Sequence, residues 1–319
     1  MKSKKSTILL LLILLIGLSL LLYPTVSNFW NSFHQSMAIA SYSEAVAELD
    51  EISYEQLWAE AEAYNGSLSN GGSRLQPTPE KHAWYESLLN VTGNGIMGYI
   101  EIPSIGVSLP VYHGVEDTVL QIAIGHIEGT SLPTGGPSTH CVVSGHRGLP
   151  SAKLFTDLDK LMEGDIFLLR VLDEVLTYEV DQIHIVEPQE VGFLDIEEGQ
   201  DLCTMVTCTP YGVNSHRLLV RGHRIENQKD ASNIRVTADA IQIEPVLVAP
   251  AVAAPMLLLL MIGLMVSGRK NAKSKKPPRD RAKKKDKKED RKESKKNENK
   301  KEDKEEMNHN EKEKDKGKE

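Results

Sequence analysis

Leu202-Cys203-Thr204-Met205-Val206-Thr207-Cys208 and Ser215-His216-Arg217-Leu218-Leu219-Val220-Arg221-Gly222 are two apolar runs hinged on Thr209-Pro210-Tyr211-Gly212. Each run is short, rich in Leu, Val and Thr, and bounded by turn residues, which is the signature of a strand. Similar runs recur upstream, over 97–102, 108–113, 140–143, 165–172 and 176–186; the runs quoted above predict strands over 202–208 and 217–224. Several short strands at close spacing predict a mainly β domain, a barrel or a sandwich. Two short helices are expected to interrupt them, over 118–124 with Asp117 as N-cap and over 153–161. No internal repeat is visible.

Before residue 95 the pattern is helical. A helix is predicted over 41–65, with Ser53 and Gln56 as a capping box and Asn65-Gly66 as its stop. Residues 66–80 are rich in Ser, Asn, Gly and Pro and read as a loop. A short helix over 79–89 follows.

Two uncharged apolar segments flank this domain. Residues 6–23 follow Lys2, Lys4 and Lys5; residues 246–266 precede Arg269, Lys270, Lys273, Lys275 and Lys276. Each is about long enough to cross a bilayer as a helix, which takes roughly 17–25 residues. The flanking cations place both termini in the cytoplasm and residues 24–245 outside. A cleaved signal peptide is the rival for the first segment. Its small-residue pattern, Ala38-Ile39-Ala40, lies well past the end of the apolar run, which favours an uncleaved anchor. Pro250 and Pro255 in the second segment are tolerated in membrane helices.

The net charge of −8 conceals two opposed regions. Residues 269–319 carry 23 Lys+Arg against 14 Asp+Glu, leaving 14 against 31 for the rest of the chain. The outward domain is therefore acidic and unsuited to nucleic acid. The tail has almost no apolar residues and is expected to be disordered, with its basic start against anionic lipid headgroups.

The three cysteines, Cys141, Cys203 and Cys208, all fall in the outward domain. An odd count there leaves at least one thiol unpaired within the chain. Cys208 stands where an apolar run gives way to a turn, so it reads either as a small buried residue or as an exposed nucleophile. His146, after Cys141-Val142-Val143-Ser144-Gly145, also lies at a strand-to-loop junction; His216 is its rival as proton carrier. Arg217 opens a strand apolar on both faces, and a buried arginine needs an anionic partner. Arg221 lies on the same face by alternation and competes with it. A thiol, an imidazole and a guanidinium at strand ends form a minimal kit for thiol acyl transfer.

The motifs carry a family resemblance. Thr207-Cys208-Thr209-Pro210-Tyr211-Gly212-Val213-Asn214-Ser215-His216-Arg217 resembles the signature of class C, pilin-polymerising sortases. Ser144-Gly145-His146-Arg147-Gly148-Leu149-Pro150 resembles that group's histidine segment. The stretches 93–103, 109–114 and 129–133 are similar to it as well, and the resemblance covers roughly residues 40–270. It implies an eight-stranded sortase barrel over 93–242, an N-terminal helical, lid-like region over 24–92, and two transmembrane helices. It also implies that His146 and Cys208 end neighbouring strands with Arg217 on the next. The implied chemistry is transpeptidation on Leu-Pro-x-Thr-Gly-like sorting signals of pilin or surface proteins. A lysine amine is the implied acceptor, and no metal or organic cofactor is required. Two other functions compete: anchoring of single proteins to peptidoglycan, and a non-catalytic membrane scaffold.

Two points depart from the family pattern. An Asp-Pro-aromatic lid motif is absent, and Leu75-Gln76-Pro77-Thr78-Pro79-Glu80-Lys81-His82-Ala83-Trp84 stands in its place, with Trp84 as either packing or a substitute plug. Cys141 and Cys203 each lie five residues before His146 and Cys208. Side-by-side parallel strands would make these two cysteines neighbours, as a disulfide or as two buried thiols.

Overall fold

Eight strands close into a barrel in the order β1-β2-β3-β4-β7-β8-β6-β5. They are β1 (Ile96–Ile102), β2 (Val107–His113), β3 (Ile124–His126), β4 (Thr139–Ser144), β5 (Ile166–Val171), β6 (Glu174–Val186), β7 (Asp201–Thr209) and β8 (His216–Arg224). The computed structural model describes residues 2–227 together with 258, 261 and 262. The predicted second membrane segment over 246–266, the charged tail, and the end of the barrel region at 242 thus fall outside the described residues, but for those three positions.

All the predicted strands form, each within a few residues of its expected bounds. Alternation fills the barrel: Cys141, Val143, Cys203 and Met205 point into one core with Phe155, Phe167, Tyr178 and Val220. Pairing is antiparallel except for β2 with β3 and β4 with β7, which are parallel. Strand β3 was hidden in the sequence, because three residues buried on both faces show no alternation. The helix predicted over 118–124 shrinks to α4 (Asp117–Leu120), capped from Glu116 without a side-chain bond, and Ile124 joins the barrel. The helix predicted over 153–161 does not form. Phe155 N–H bonds back to the His146 carbonyl instead of closing a helical turn, and only Leu158–Lys160 makes a 3-10 turn.

The N-terminal region is helical, but partitioned differently from the prediction. Helix α1 (Lys2–Ala47) runs unbroken through Pro24, past the end of the predicted apolar segment at 23. At about 1.5 Å per residue its 46 residues span roughly 69 Å. Its most apolar 18-residue window has a mean hydropathy of 2.6, and the helix is long and apolar enough to cross a membrane. Its second half docks on the barrel. Asn28 Oδ1 accepts from Lys153 N–H at 2.8 Å, and Asn31 Nδ2 donates to the Ser151 carbonyl at 2.8 Å. Gln35 Nε2 donates to the Ile122 carbonyl. The fully buried Tyr42 hydroxyl bridges the Met97 carbonyl and Leu172 N–H.

Helix α2 (Glu51–Gly66) starts at Asp50, whose carboxylate accepts from Ser53 N–H at 2.7 Å. The expected capping box is therefore replaced by an aspartate three residues earlier. At the other end Asn65 is buried and makes three hydrogen bonds, from Nδ2 to the Leu132 carbonyl and Thr134 Oγ1, and to Oδ1 from Leu132 N–H. They clamp the helix to the loop before β4. Asn65→Ala leaves buried backbone groups unpaired, a cost of about 1–3 kcal/mol per group. A lowered melting temperature is the expected result; an unchanged one would mean that water takes over those bonds. Helix α3 (Pro79–Ser87) follows, with Thr78 as N-cap.

Candidate active site

Because β4 and β7 are parallel and paired with Ser144 opposite Val206, both strands leave the barrel at the same end. Gly145 N–H extends the ladder to the Val206 carbonyl at 3.0 Å, and Thr207 Oγ1 donates to the Gly145 carbonyl at 2.8 Å. His146 and Cys208 each stand two residues beyond the Ser144–Val206 pair. On the other side of β7, Cys208 pairs with Arg217 of β8. Cys208 and Arg217 thus share one rung of two adjacent strands, about 4.8 Å apart, and His146 lies in the loop that leaves β4 at the same end. All three are half-buried. The sequence left each with a rival, and the structure separates most of these.

Arg221 is already engaged. Its guanidinium donates to both Asp181 oxygens and to Glu197 Oε1 at 2.6–3.2 Å. Arg217 Nη1 instead donates only to backbone carbonyls of its own turn, those of Asn214 and His216. Its charge is balanced by no carboxylate bond among the described residues. His216 neighbours Arg217 but falls on the opposite face of β8 by alternation, and its Nδ1 bonds Ser215 Oγ.

Two glycines let the His146 loop close. A Cβ on Gly145 would lie 2.7 Å from the ring of Phe155, and one on Gly148, at φ 77°, would lie 2.8 Å from the ring of Tyr211. Tyr211 leads the turn after Cys208 and is exposed. Arg147 lies 5.9 Å over its ring and pairs with Asp159. Those contacts hold the two loops bearing His146 and Cys208 together. The sequence showed Arg147 and Tyr211 only as motif letters, and nothing local marked Asp159 as their partner.

The outer face of β4, β7, β8 and β6 leads to this rung. Val142, Val206, Leu219 and Val186 form an apolar strip, roofed by Leu194 from the segment joining β6 to β7. The latch for that roof went unforeseen. His140 Nδ1–H donates to the Asp195 carbonyl at 2.8 Å, and its Nε2 accepts from the Thr204 hydroxyl at 2.7 Å. Burial, offset in part by the bond to Asp195, holds the His140 pKa below its ordinary 6.5; the Arg221 and Arg74 charges push the same way. The sign follows directly. Below pH 6.5 the unfolded chain takes up a proton that folded His140 refuses. The stability that His140 contributes is therefore fully present above 6.5 and lost as pH falls toward the depressed folded value. We expect the acid slope of the melting temperature to shrink in His140→Gln; an unchanged slope would assign it to other groups.

Residues 66–84 are tied to the same roof. Asn70 exchanges two hydrogen bonds with the Ile196 backbone, and Arg74 bonds the Leu194 carbonyl and pairs with Asp195 at 3.3 Å. Trp84 stacks edge-on against Tyr64 at 5.4 Å. Among the described residues, no hydrogen bond, ion pair or ring contact joins residues 66–84 to Cys208, His146 or Arg217. Cys141 and Cys203 are in-register neighbours as the spacing predicted, and both are free, buried thiols facing the core. Burial and the adjacent Cys141 sulfur push the Cys203 thiol well up.

Residues 100–225 match the family described as "Sortase domain". Sortase C1 from Streptococcus agalactiae superposes with a TM-score of 0.58 at 49% identity, covering 60% of this chain and 100% of that one. Sortase C from Streptococcus pneumoniae gives 0.53 at 42%, covering 60% and 97%. Sortase A from Streptococcus agalactiae serotype III is 31% identical over 117 residues, 36% of this chain and 47% of that protein. The match thus spans about half the length of that relative. The chain belongs to the sortase family, a family of cysteine transpeptidases, and its structural neighbours include class C members.

Proposed function

We propose that the chain is a membrane-anchored pilin sortase, with Cys208 as nucleophile, His146 as proton carrier and Arg217 as oxyanion or substrate donor. The observation that supports this reading is the pairing of Cys208 with Arg217 at the strand end where β4 passes into the His146 loop. The Cys208 thiolate attacks the Thr carbonyl of a Leu-Pro-x-Thr-Gly-like signal. Arg217 donates to the oxygen as it gains charge. The tetrahedral adduct collapses, the Thr–Gly bond breaks, and His146 gives its proton to the departing glycine amine. A thioester remains on Cys208. A lysine amine of a second subunit then attacks, losing its proton to His146, and an isopeptide bond forms as the thiolate leaves.

Pilin as the substrate class is supported by the class C neighbours, one of them described for its pilin substrate specificity. The membrane reading is supported by α1 and, in sequence, by the apolar segment 246–266 with its flanking cations. With both spans in place, the barrel lies outside and both termini are cytoplasmic. The charged tail 267–319 then meets the inner leaflet.

The test is incubation of the full chain, in detergent, with a sorting-signal peptide and either a lysine-bearing pilin domain or a peptidoglycan cross-bridge amine. Mass spectrometry of an isopeptide to the pilin lysine is the expected result. Transfer only to the cross-bridge amine would replace pilin polymerisation with cell-wall anchoring. No thioester at all would remove the enzyme reading.

A further inference from the structure

The second half of α1 has two faces. Asn28, Asn31, Gln35 and Tyr42 point at the barrel and bond it. On the opposite side Val26, Phe29, Trp30, Phe33 and Met37 recur at helical spacing, and all are exposed, by 53–73%. Five bare apolar side chains in one row, three of them aromatic, call for a covering partner. The row continues without a break from the apolar run that starts at Ile8, on the same helix. Trp30 lies 22 residues beyond Ile8, or roughly 33 Å along the axis. A hydrocarbon core is about 30 Å thick, so Trp30 falls where the acyl chains end and headgroups begin. Tryptophan is enriched at that level, with its ring in the apolar layer and its N–H toward water.

We propose that this aromatic face is seated in the headgroup layer of the bilayer, and that α1 is a strut holding the Cys208 end of the barrel against the membrane surface. The proposal rests on the membrane-anchor reading above. The contacts nearest the span support the second half of it. Asn28 and Asn31 bond Lys153 and Ser151, in the loop that begins at His146. Phe155 of that loop returns to the His146 carbonyl at 3.1 Å. The first part of the barrel that α1 meets on leaving the membrane is therefore the loop carrying His146. The opposite strand ends, at Thr139 and Asp201, lie five or more residues up the sheet, about 17 Å or more away. A substrate still held in the membrane could then present its scissile bond close to the lipid surface.

The experiment uses the full chain in lipid vesicles with Trp58 and Trp84 changed to Phe, leaving Trp30 as the sole indole. Lipids brominated at shallow or deep acyl positions are compared as quenchers. Quenching that is strongest with shallow bromines is expected. Vesicle-bound protein with unquenched Trp30 would overturn the proposal and mean that the face is covered by protein, either a second copy or the chain's own 246–266 segment. Quenching by deep bromines alone would place the face inside the hydrocarbon and also overturn it. Protein that fails to float with the vesicles would overturn the anchor reading itself. For the site's height, Tyr211→Trp and Glu198→Trp are made separately on a background with all three native indoles changed to Phe. A headgroup-attached nitroxide should quench the first several-fold more than the second. Equal quenching would overturn the strut.

Discussion

Cys208→Ala will remove the thioester adduct with a sorting-signal peptide and reduce turnover by on the order of 10⁵–10⁶, the loss typical of deleting a nucleophile. The side chain is half-buried at the barrel's end, so the melting temperature should barely change. Cys141 and Cys203 serve as the internal control. Both thiols lie in the core on the opposite face of their strands, where a peptide carbonyl has no access. An adduct that persists in the alanine variant and maps to either of them would end the assignment of Cys208. Cys208→Ser is the finer probe, since it keeps the shape but presents a far less ionised nucleophile; a residual slow acylation would fit the same geometry.

Arg217→Ala is expected to lower kcat by about 10²–10³, the usual cost of removing one oxyanion donor. Arg217→Lys should recover little of this. The lysine keeps the charge but not the planar fork of donors that can bond a carbonyl oxygen and the turn backbone together. In the present arrangement the guanidinium rests on the carbonyls of Asn214 and His216, directly across the ladder from Cys208. Arg221→Ala gives the contrast. It strips a donor from Asp181 and Glu197, so it should lower the melting temperature more than the rate. A normal rate in Arg217→Ala, or a catalytic loss confined to Arg221→Ala, would exchange the two roles.

Cys208, His146 and Arg217 were legible because each stands at or near an end of an apolar run. Their placement on neighbouring strands was expected only from the family resemblance. It depends on β4 pairing in parallel with β7, across 62 residues between Gly145 and Thr207, and no local pattern encodes that partnership. Position alone could not separate Arg217 from Arg221 either; the carboxylates that claim Arg221 come from β6 and from the roof segment. Helix α1 shows the converse. The sequence predicts an apolar segment ending at residue 23 and the next helix from 41, yet one helix runs from Lys2 to Ala47. The helical spacing of Val26, Phe29, Trp30, Phe33 and Met37 was the available signal that the helix goes on. Helix 153–161 failed for a tertiary reason, since Phe155 is drawn into the core against Gly145 before a helical turn can close.

The strand order also bears on how the molecule is made. β7 and β8 are the last strands of the barrel in sequence, yet they sit between β4 and β6, both synthesised earlier. Until the final hairpin arrives, the nascent sheet has two raw edges with unpaired backbone, and that hairpin must enter as a wedge and seal both. Long-range pairings of this kind form late and slowly. Because the wedge itself carries Cys208 and Arg217, a chain released short of Arg217 has neither a closed wall nor the Cys208–Arg217 pair. On the proposed roles, closure and catalytic competence are therefore acquired in the same event.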